Sequence, residues 1–147
     1  METTHRIQVL NEEQSIDLLD RAEVGRVVFT DHALPAILPV TYAVDGGTIV
    51  IRTSRGSRLA RAADGAVLAF EADDVRPERG DAWSVVVTGE ARIETDPDEQ
   101  ERLADLLSPW VPGVKDVFIR IPLTVVTGRL ITGRPLAGRH RHAAVPG

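Results

Sequence analysis

Two alternating apolar runs joined by Asp45-Gly46-Gly47 constrain this chain more than any other feature. From Leu34 to Val44, extended backbone puts Leu38, Val40, Tyr42 and Val44 on one side and Ile37, Pro39, Thr41 and Ala43 on the other. Glycine supplies the positive φ that a tight hairpin turn requires, so Thr48 to Thr53 returns as the antiparallel partner.

The rest of the pattern is also rich in short strands. Arg26–Thr30, Ala66–Ala72, Val117–Ile121 and Val125–Ile131 read as strands, the last two separated by Pro122. Ala82–Ile93 reads as one long strand, with Trp83, Val85, Val87, Ala91 and Ile93 set against Ser84, Val86, Thr88, Glu90 and Arg92. Asp73 to Asp81, with Pro77 and Gly80, reads as a charged loop. Three helices are short. Asn11 caps the first, with Gln14 as its capping-box partner and Gly25 as the stop. Ser57 caps the second, Arg58–Ala63, which ends near Gly65. Asp96-Pro97-Asp98-Glu99 opens the third with a cap, an N1 proline and a capping-box acid, and it runs to about Leu107. Six or seven strands with so little helix exclude a doubly wound parallel sheet. They predict a mainly β fold, an antiparallel barrel with helices at its rim. The 147 residues fit one domain, 1–147, with residues 133–147 expected to form a mobile tail.

Composition removes whole classes of function. With no cysteine, the chain has no disulfide framework, zinc-thiolate site or thiol nucleophile. A net charge of -5 argues against nucleic acid and anionic membrane as partners. No apolar run approaches the roughly 20 residues of a membrane span, and Met1–Leu10 lacks the apolar segment of a secretory signal. These features predict a cytoplasmic protein.

One segment carries a chemical signal. In Arg52-Thr53-Ser54-Arg55-Gly56-Ser57-Arg58 a strand ends, a glycine loop follows and Ser57 opens a helix. Unpaired backbone N–H groups, two hydroxyls and up to three guanidinium groups at one helix start suit a phosphate. The same residues also suit a plain serine cap surrounded by solvated arginines, and the sequence leaves both open. No nucleophile elbow, Walker loop or evident carboxylate pair is present, so no catalytic residue is assigned. Asp73, Asp74 and Glu78 do not have the spacing of a calcium loop. His140 and His142 stand two apart in the tail, where closing a metal site is difficult, and no metal is expected.

The segments Val24-Gly25-Arg26-Val27-Val28-Phe29, Leu38-Pro39-Val40-Thr41-Tyr42 with Gly46-Gly47-Thr48-Ile49, Val67–Asp73 and Trp83–Ala91 together resemble the FMN-binding split barrels related to pyridoxamine 5'-phosphate oxidase. The resemblance runs in order over about residues 7 to 132 and is greatest to short actinobacterial-type members. It implies a split β-barrel that works as a homodimer, with FMN at the subunit interface. It places Pro39, Val40, Thr41 and Tyr42 along the flavin ring. Arg52, Thr53, Ser57 and Arg58 fall at its phosphate, with Arg58 standing where lysine is common nearby. Trp83 starts the strand that builds the dimer and the second wall of the site, and Trp110 reaches the same cleft. The residues themselves leave Tyr42 equally readable as a core tyrosine, Pro39 as an edge marker and Trp83 as an interface anchor.

The activity so implied is a flavin-dependent oxidoreductase acting on a small organic substrate, since the cofactor carries the redox chemistry and the protein binds and orients. Alternatives on the same fold are an F420 (deazaflavin)-dependent reductase, with Arg55 and Arg61 serving its longer tail, a non-catalytic flavin-binding module, and last a haem protein. Oxidation of pyridoxamine phosphate itself is not expected, because the C-terminal substrate segment of those oxidases has no match.

Overall fold

The structure is a computed structural model that describes residues 5–113 and 115–136. They form nine strands and three helices: β1 (Arg6–Leu10), α1 (Glu12–Leu19), β2 (Val24–Asp31), β3 (Leu34–Asp45), β4 (Thr48–Thr53), α2 (Arg58–Ala63), β5 (Val67–Arg76), β6 (Asp81–Glu90), β7 (Arg92–Ile93), α3 (Pro97–Leu106), β8 (Val117–Pro122) and β9 (Val125–Thr132). All strand pairs are antiparallel, in the order β1-β9-β6-β5-β2-β3-β4-β8-β7. The sheet curls on itself, so that Val27, Phe29, Phe70, Val85, Val87, Ile49, Ile51, Ile119 and Ile121 share one core, closed by Leu19 of α1 and Leu59 of α2. Each large side chain removed from water there contributes about 1.5–3 kcal/mol. A smaller cluster, Val50, Leu103, Leu107 and Phe118, lies under α3 on the other side of β4. This is the mainly β split barrel that the strand pattern predicts, built from nine strands rather than six or seven.

Local chemistry explains the elements. Asn11 and Gln14 form the reciprocal capping box of α1. Gly46 and Gly47 take φ of +56° and +71° between β3 and β4, and Asp45 faces Thr48 across this two-residue turn. Ser57 accepts the Ala60 N–H at 3.0 Å to cap α2. The sides of β3 follow the alternation, with Tyr42 buried and Val40 and Val44 packed on the core.

Five details differ from the sequence reading. Gly25 does not end α1, whose C-cap is Asp20; it lies buried in β2, where the ring of Phe70 leaves no room for a side chain. Asp73 and Asp74 belong to β5, because pairing with Ser84 and Trp83 carries the strand on to Arg76 and only 77–80 turn. The long strand breaks at Ala91, which bonds through its N–H and C=O to Ala66 and Gly65, and the chain then passes to β8 as β7. Asp96 caps α3 through the Asp98 N–H, while Glu99 turns to arginines instead of closing a capping box. β1 adds a strand where the sequence pattern shows none; it pairs with β9, and its Ile7 and Val9 remain exposed. His140, His142 and the tail from residue 137 lie outside the described residues. Among the described residues no helix is long and apolar enough to cross a membrane, and no group of three or more His, Asp or Glu is placed to hold a metal.

Candidate functional site

The hairpin β3–β4 opens at its base. Tyr42 to Asp45 pair with β4, whereas Leu34 to Thr41 pair only with β2, and β4 ends against β8 instead. On the side that faces β4, β3 therefore has no strand partner between Pro35 and Thr41. Backbone N–H and C=O groups of alternate residues point to the same edge. The narrow closing pair Asp45 and Thr48 puts Ala43, Thr41, Pro39, Ile37 and Pro35 in the set directed at β4. Proline lacks an N–H, and the Tyr42–Ile51 pairing already takes the Thr41 carbonyl, so this open edge presents the three carbonyls of Pro35, Ile37 and Pro39 but only the N–H groups of Ile37 and Thr41.

A groove of about 170 Å³ lies along that edge, lined by Leu38 to Thr41, Arg52, Thr53, Leu59, Trp110 and Lys115 among others. Five of the residues singled out from the sequence, Pro39, Val40, Thr41, Arg52 and Thr53, thus meet in one place. Trp110 joins them and is 56% exposed at the rim. Ser57 adjoins the groove, because the Thr53 hydroxyl donates to its Oγ at 2.9 Å.

The two arginines behave differently from each other. Arg52 is half-buried and stacks 5.0 Å from the Phe118 ring centroid. Its Nε donates to the Lys115 carbonyl at 2.6 Å and its Nη1 to the carbonyls of Leu107 at 2.9 Å and Ala104 at 3.4 Å. It braces the segment after α3 while forming part of the groove wall. Arg58 extends from α2 to Asp31, Nε to Oδ2 at 2.6 Å. That guanidinium holds the Asp31 carboxyl below the usual carboxylate range. Neither Arg58 nor Asp31 is among the residues lining the groove, and because 27 positions separate the pair nothing local in the sequence marks it.

The remaining two singled-out residues lie elsewhere. Tyr42 points into the core, edge-on to Phe70, and its hydroxyl donates to the Leu19 carbonyl. Burial pushes that phenol up to about 12. Trp83 lines a different cleft, between β5, β6 and β9, with Arg21 and Asp74. Arg55 and Arg61 line a third cleft on the far side of α2, where Arg55 pairs with Asp116 at 3.1 Å.

The closed end of the hairpin is held by charge. Arg120, only 18% exposed, donates to Asp45 at 3.0 Å, Glu94 at 2.9 Å and Glu99 at 2.9 Å. Arg102 reaches Asp45 at 2.8 Å and Glu99 at 2.7 Å. The Arg102 and Arg120 guanidiniums together hold Asp45 down at about 2. The turn is thereby fixed to α3 and β8, while the base of the hairpin stays open.

Comparison with known proteins agrees with this architecture. Residues 11–130 match the family model of pyridoxamine 5'-phosphate oxidase. The uncharacterized protein Rv0080 of Mycobacterium tuberculosis is 40% identical over 132 residues, covering 86% of this chain and 87% of that protein. A solved structure of a FAD binding protein from Mycobacterium smegmatis is 31% identical and superposes with a TM-score of 0.71, over 84% of this chain and 98% of that one. A Corynebacterium diphtheriae conserved protein of unknown function, 30% identical, superposes with a TM-score of 0.70 over 86% and 98% of the two chains. With the split barrel, the open hairpin base and these matches in agreement, the chain belongs to the pyridoxamine 5'-phosphate oxidase family.

Proposed function

We propose that this protein is a flavin-dependent oxidoreductase that binds FMN along the open edge of β3, working as a homodimer with the cofactor at the subunit interface. The observation that carries the reading is that edge: unpaired backbone acceptors and two donors beside the hydroxyls of Thr53 and Ser57. A planar heterocycle with a polar rim fits the first and a phosphate the second. The relative from M. smegmatis, a FAD binding protein, adds support for a flavin.

The groove's volume supports the dimer. About 170 Å³ is below the roughly 300–1,000 Å³ of sites that enclose a ligand of this size. One chain therefore supplies one wall. The outer face of the sheet beside the groove carries Ile37, Val28, Ala69, Thr88 and Val125 in one row and Pro39, Arg26, Glu71, Val86 and Thr127 in the next. Ile37 and Val125 are 64% and 54% exposed, an apolar surface suited to a second copy. Pro39 belongs to both that face and the groove, so covering the face also completes the groove.

Bound there, FMN would supply hydride or electron transfer to a small organic substrate. The protein's own residues position it. The Ile37 and Thr41 N–H groups orient the ring's polar rim, Thr53, Ser57 and Arg58 hold the phosphate, and Trp110 covers the mouth against water.

A second reading is FAD in place of FMN, favoured by that same relative; Arg55 and Arg61 beyond α2 would then meet the additional phosphate and nucleotide. An F420 tail would make the same demand. Visible-absorption titration of the purified protein with FMN, FAD, F420 and haem in parallel tests these readings. Saturation by FMN at one per subunit, with light scattering giving a dimer, supports the first. Saturation by FAD or F420 alone transfers the protein to that cofactor, and binding of none overturns the proposal. Failure to cycle the bound flavin with any reductant and acceptor pair would leave a carrier rather than an enzyme.

A further inference from the structure

The sequence points to arginines as the anion ligands of the β3 groove, yet each of them is committed to a protein partner. A guanidinium carries five N–H donors. The Nε of Arg52 spends its one on the Lys115 carbonyl at 2.6 Å, and Nη1 donates to the Leu107 and Ala104 carbonyls at 2.9 and 3.4 Å. A two-point grip on a phosphate takes Nη2 together with either Nε or Nη1. Among the described residues only Nη2 makes no bond, so Arg52 has a charge and one nitrogen to offer but no fork. Arg55 pairs with Asp116 at 3.1 Å and lines the cleft beyond α2. Arg58 pairs with Asp31 at 2.6 Å and does not line the groove.

One cation of the groove wall is left. Lys115 is the single lysine of the chain, and it lines the groove, half-buried. Among the described residues it has no ion-pair partner. Its backbone is fixed all the same, because Arg52 clamps its carbonyl while resting on the Phe118 ring. Lys115 stands just before Val117, which pairs with Thr53 across β4 and β8. That register brings it to the end of the groove where the Thr53 and Ser57 hydroxyls meet. No Asp or Glu lines the groove, in a chain with 22 acidic residues and a net charge of -5. Two cations with no carboxylate among them make this a positive site on an acidic protein.

We propose that Lys115 binds the cofactor's phosphate and makes the groove discriminate FMN from riboflavin. The assignment rests on the flavin reading of the groove. An ammonium on a flexible stem brings three rotatable donors to an oxyanion. Arg52 holds the backbone that carries it and adds its own charge, and Arg58 contributes a cation that it shares with Asp31.

The test is titration of the full chain with FMN and with riboflavin, which differ only in the phosphate, followed by flavin fluorescence and visible absorption. The parent protein should bind FMN about tenfold or more tighter than riboflavin. K115Q should lose about tenfold in FMN affinity and leave riboflavin within about twofold. K115R keeps the charge and should stay within about threefold of the parent for FMN. Raising KCl from about 50 to 500 mM should weaken FMN binding far more in the parent than in K115Q. Because the Lys115 side chain has no ion-pair partner to lose, K115Q should melt within about a degree of the parent. Equal FMN affinity in parent and K115Q overturns the Lys115 assignment and leaves the groove reading standing. So does an equal loss for both flavins, which would give Lys115 a structural role instead. Binding of neither flavin by the parent overturns the flavin reading itself, and the assignment with it.

Discussion

Gly25 in β2 lies against the ring of Phe70 in β5 so closely that a β-carbon on it would sit 2.2 Å from the ring Cζ and 2.7 Å from the Glu71 carbonyl oxygen. The ring is wholly buried and packs edge-on to Tyr42, so it has nowhere to retreat. Gly25→Ala should therefore destabilise the fold by about 2–3 kcal/mol in urea denaturation. Adding Phe70→Leu should recover less than half, because the carbonyl remains in the way. A Gly25→Ala protein as stable as the parent would show that β2 and β5 separate more easily than this packing implies.

Asp45 gives the hairpin an acid-sensitive clasp. Its folded value of about 2, set by Arg102 and Arg120, lies below the 3.8 of an isolated aspartate. The stability it contributes is complete above the ordinary value and is lost as pH falls toward 2. Asp45→Asn should cost about 1–3 kcal/mol at pH 7. The gap between variant and parent should shrink steadily below pH 4 in denaturation curves.

Glu71 acts in the opposite sense. On the outer sheet face, burial and the neighbouring Asp73 carboxylate push it up to about 7, and Arg26 at 3.3 Å only partly offsets this. The folded state then holds a proton that the unfolded chain releases near the ordinary 4.5, so stability falls as pH rises from about 4.5 to 7. Glu71→Gln should flatten that slope and make the protein more stable than the parent at pH 8, by on the order of 1–3 kcal/mol. Thermal melts at pH 5 and pH 8 measure it directly.

Arg52 and Arg58 should separate cleanly. Arg52→Ala removes the donor to three backbone carbonyls and the stacking on Phe118, and should cost about 1–3 kcal/mol of stability. Arg58→Ala breaks only an exposed pair with Asp31 and should leave the melting temperature within a degree or so. It should nevertheless weaken FMN binding about tenfold or more. Asp31→Asn, by freeing Arg58, should tighten FMN by a few-fold; weaker binding in that variant would mean that Asp31 presents the guanidinium rather than competing for it.

Much of this was legible because it is local. The caps of α1 and α2, the hairpin turn at Gly46-Gly47 and the alternation that buries Tyr42 each depend on residues within four positions of one another. What escaped depends on distant partners. Arg6–Leu10 is exposed along most of its length, and only its register with β9 makes it a strand. Asp73 and Asp74 look like loop residues until β6 pairs with them. Ala91 continues the alternation of β6 without a fault, yet the chain changes neighbours there. At the groove, residues 39–41 and 52–53 were visible as a hairpin pair. The carbonyls that hold Arg52 come from 52 to 63 positions downstream, and no local pattern announces them.

The open edge of β3 has a consequence for the protein's behaviour in a crowded solution. An unpaired strand edge invites other chains to zip onto it, which is how fibrils begin. Here Pro35 and Pro39 recur four residues apart on the exposed side, each removing a donor from any incoming ladder. A polypeptide needs an unbroken series of bonds, and the two prolines interrupt it. The seam therefore lacks the continuous row of donors from which an intermolecular sheet would grow.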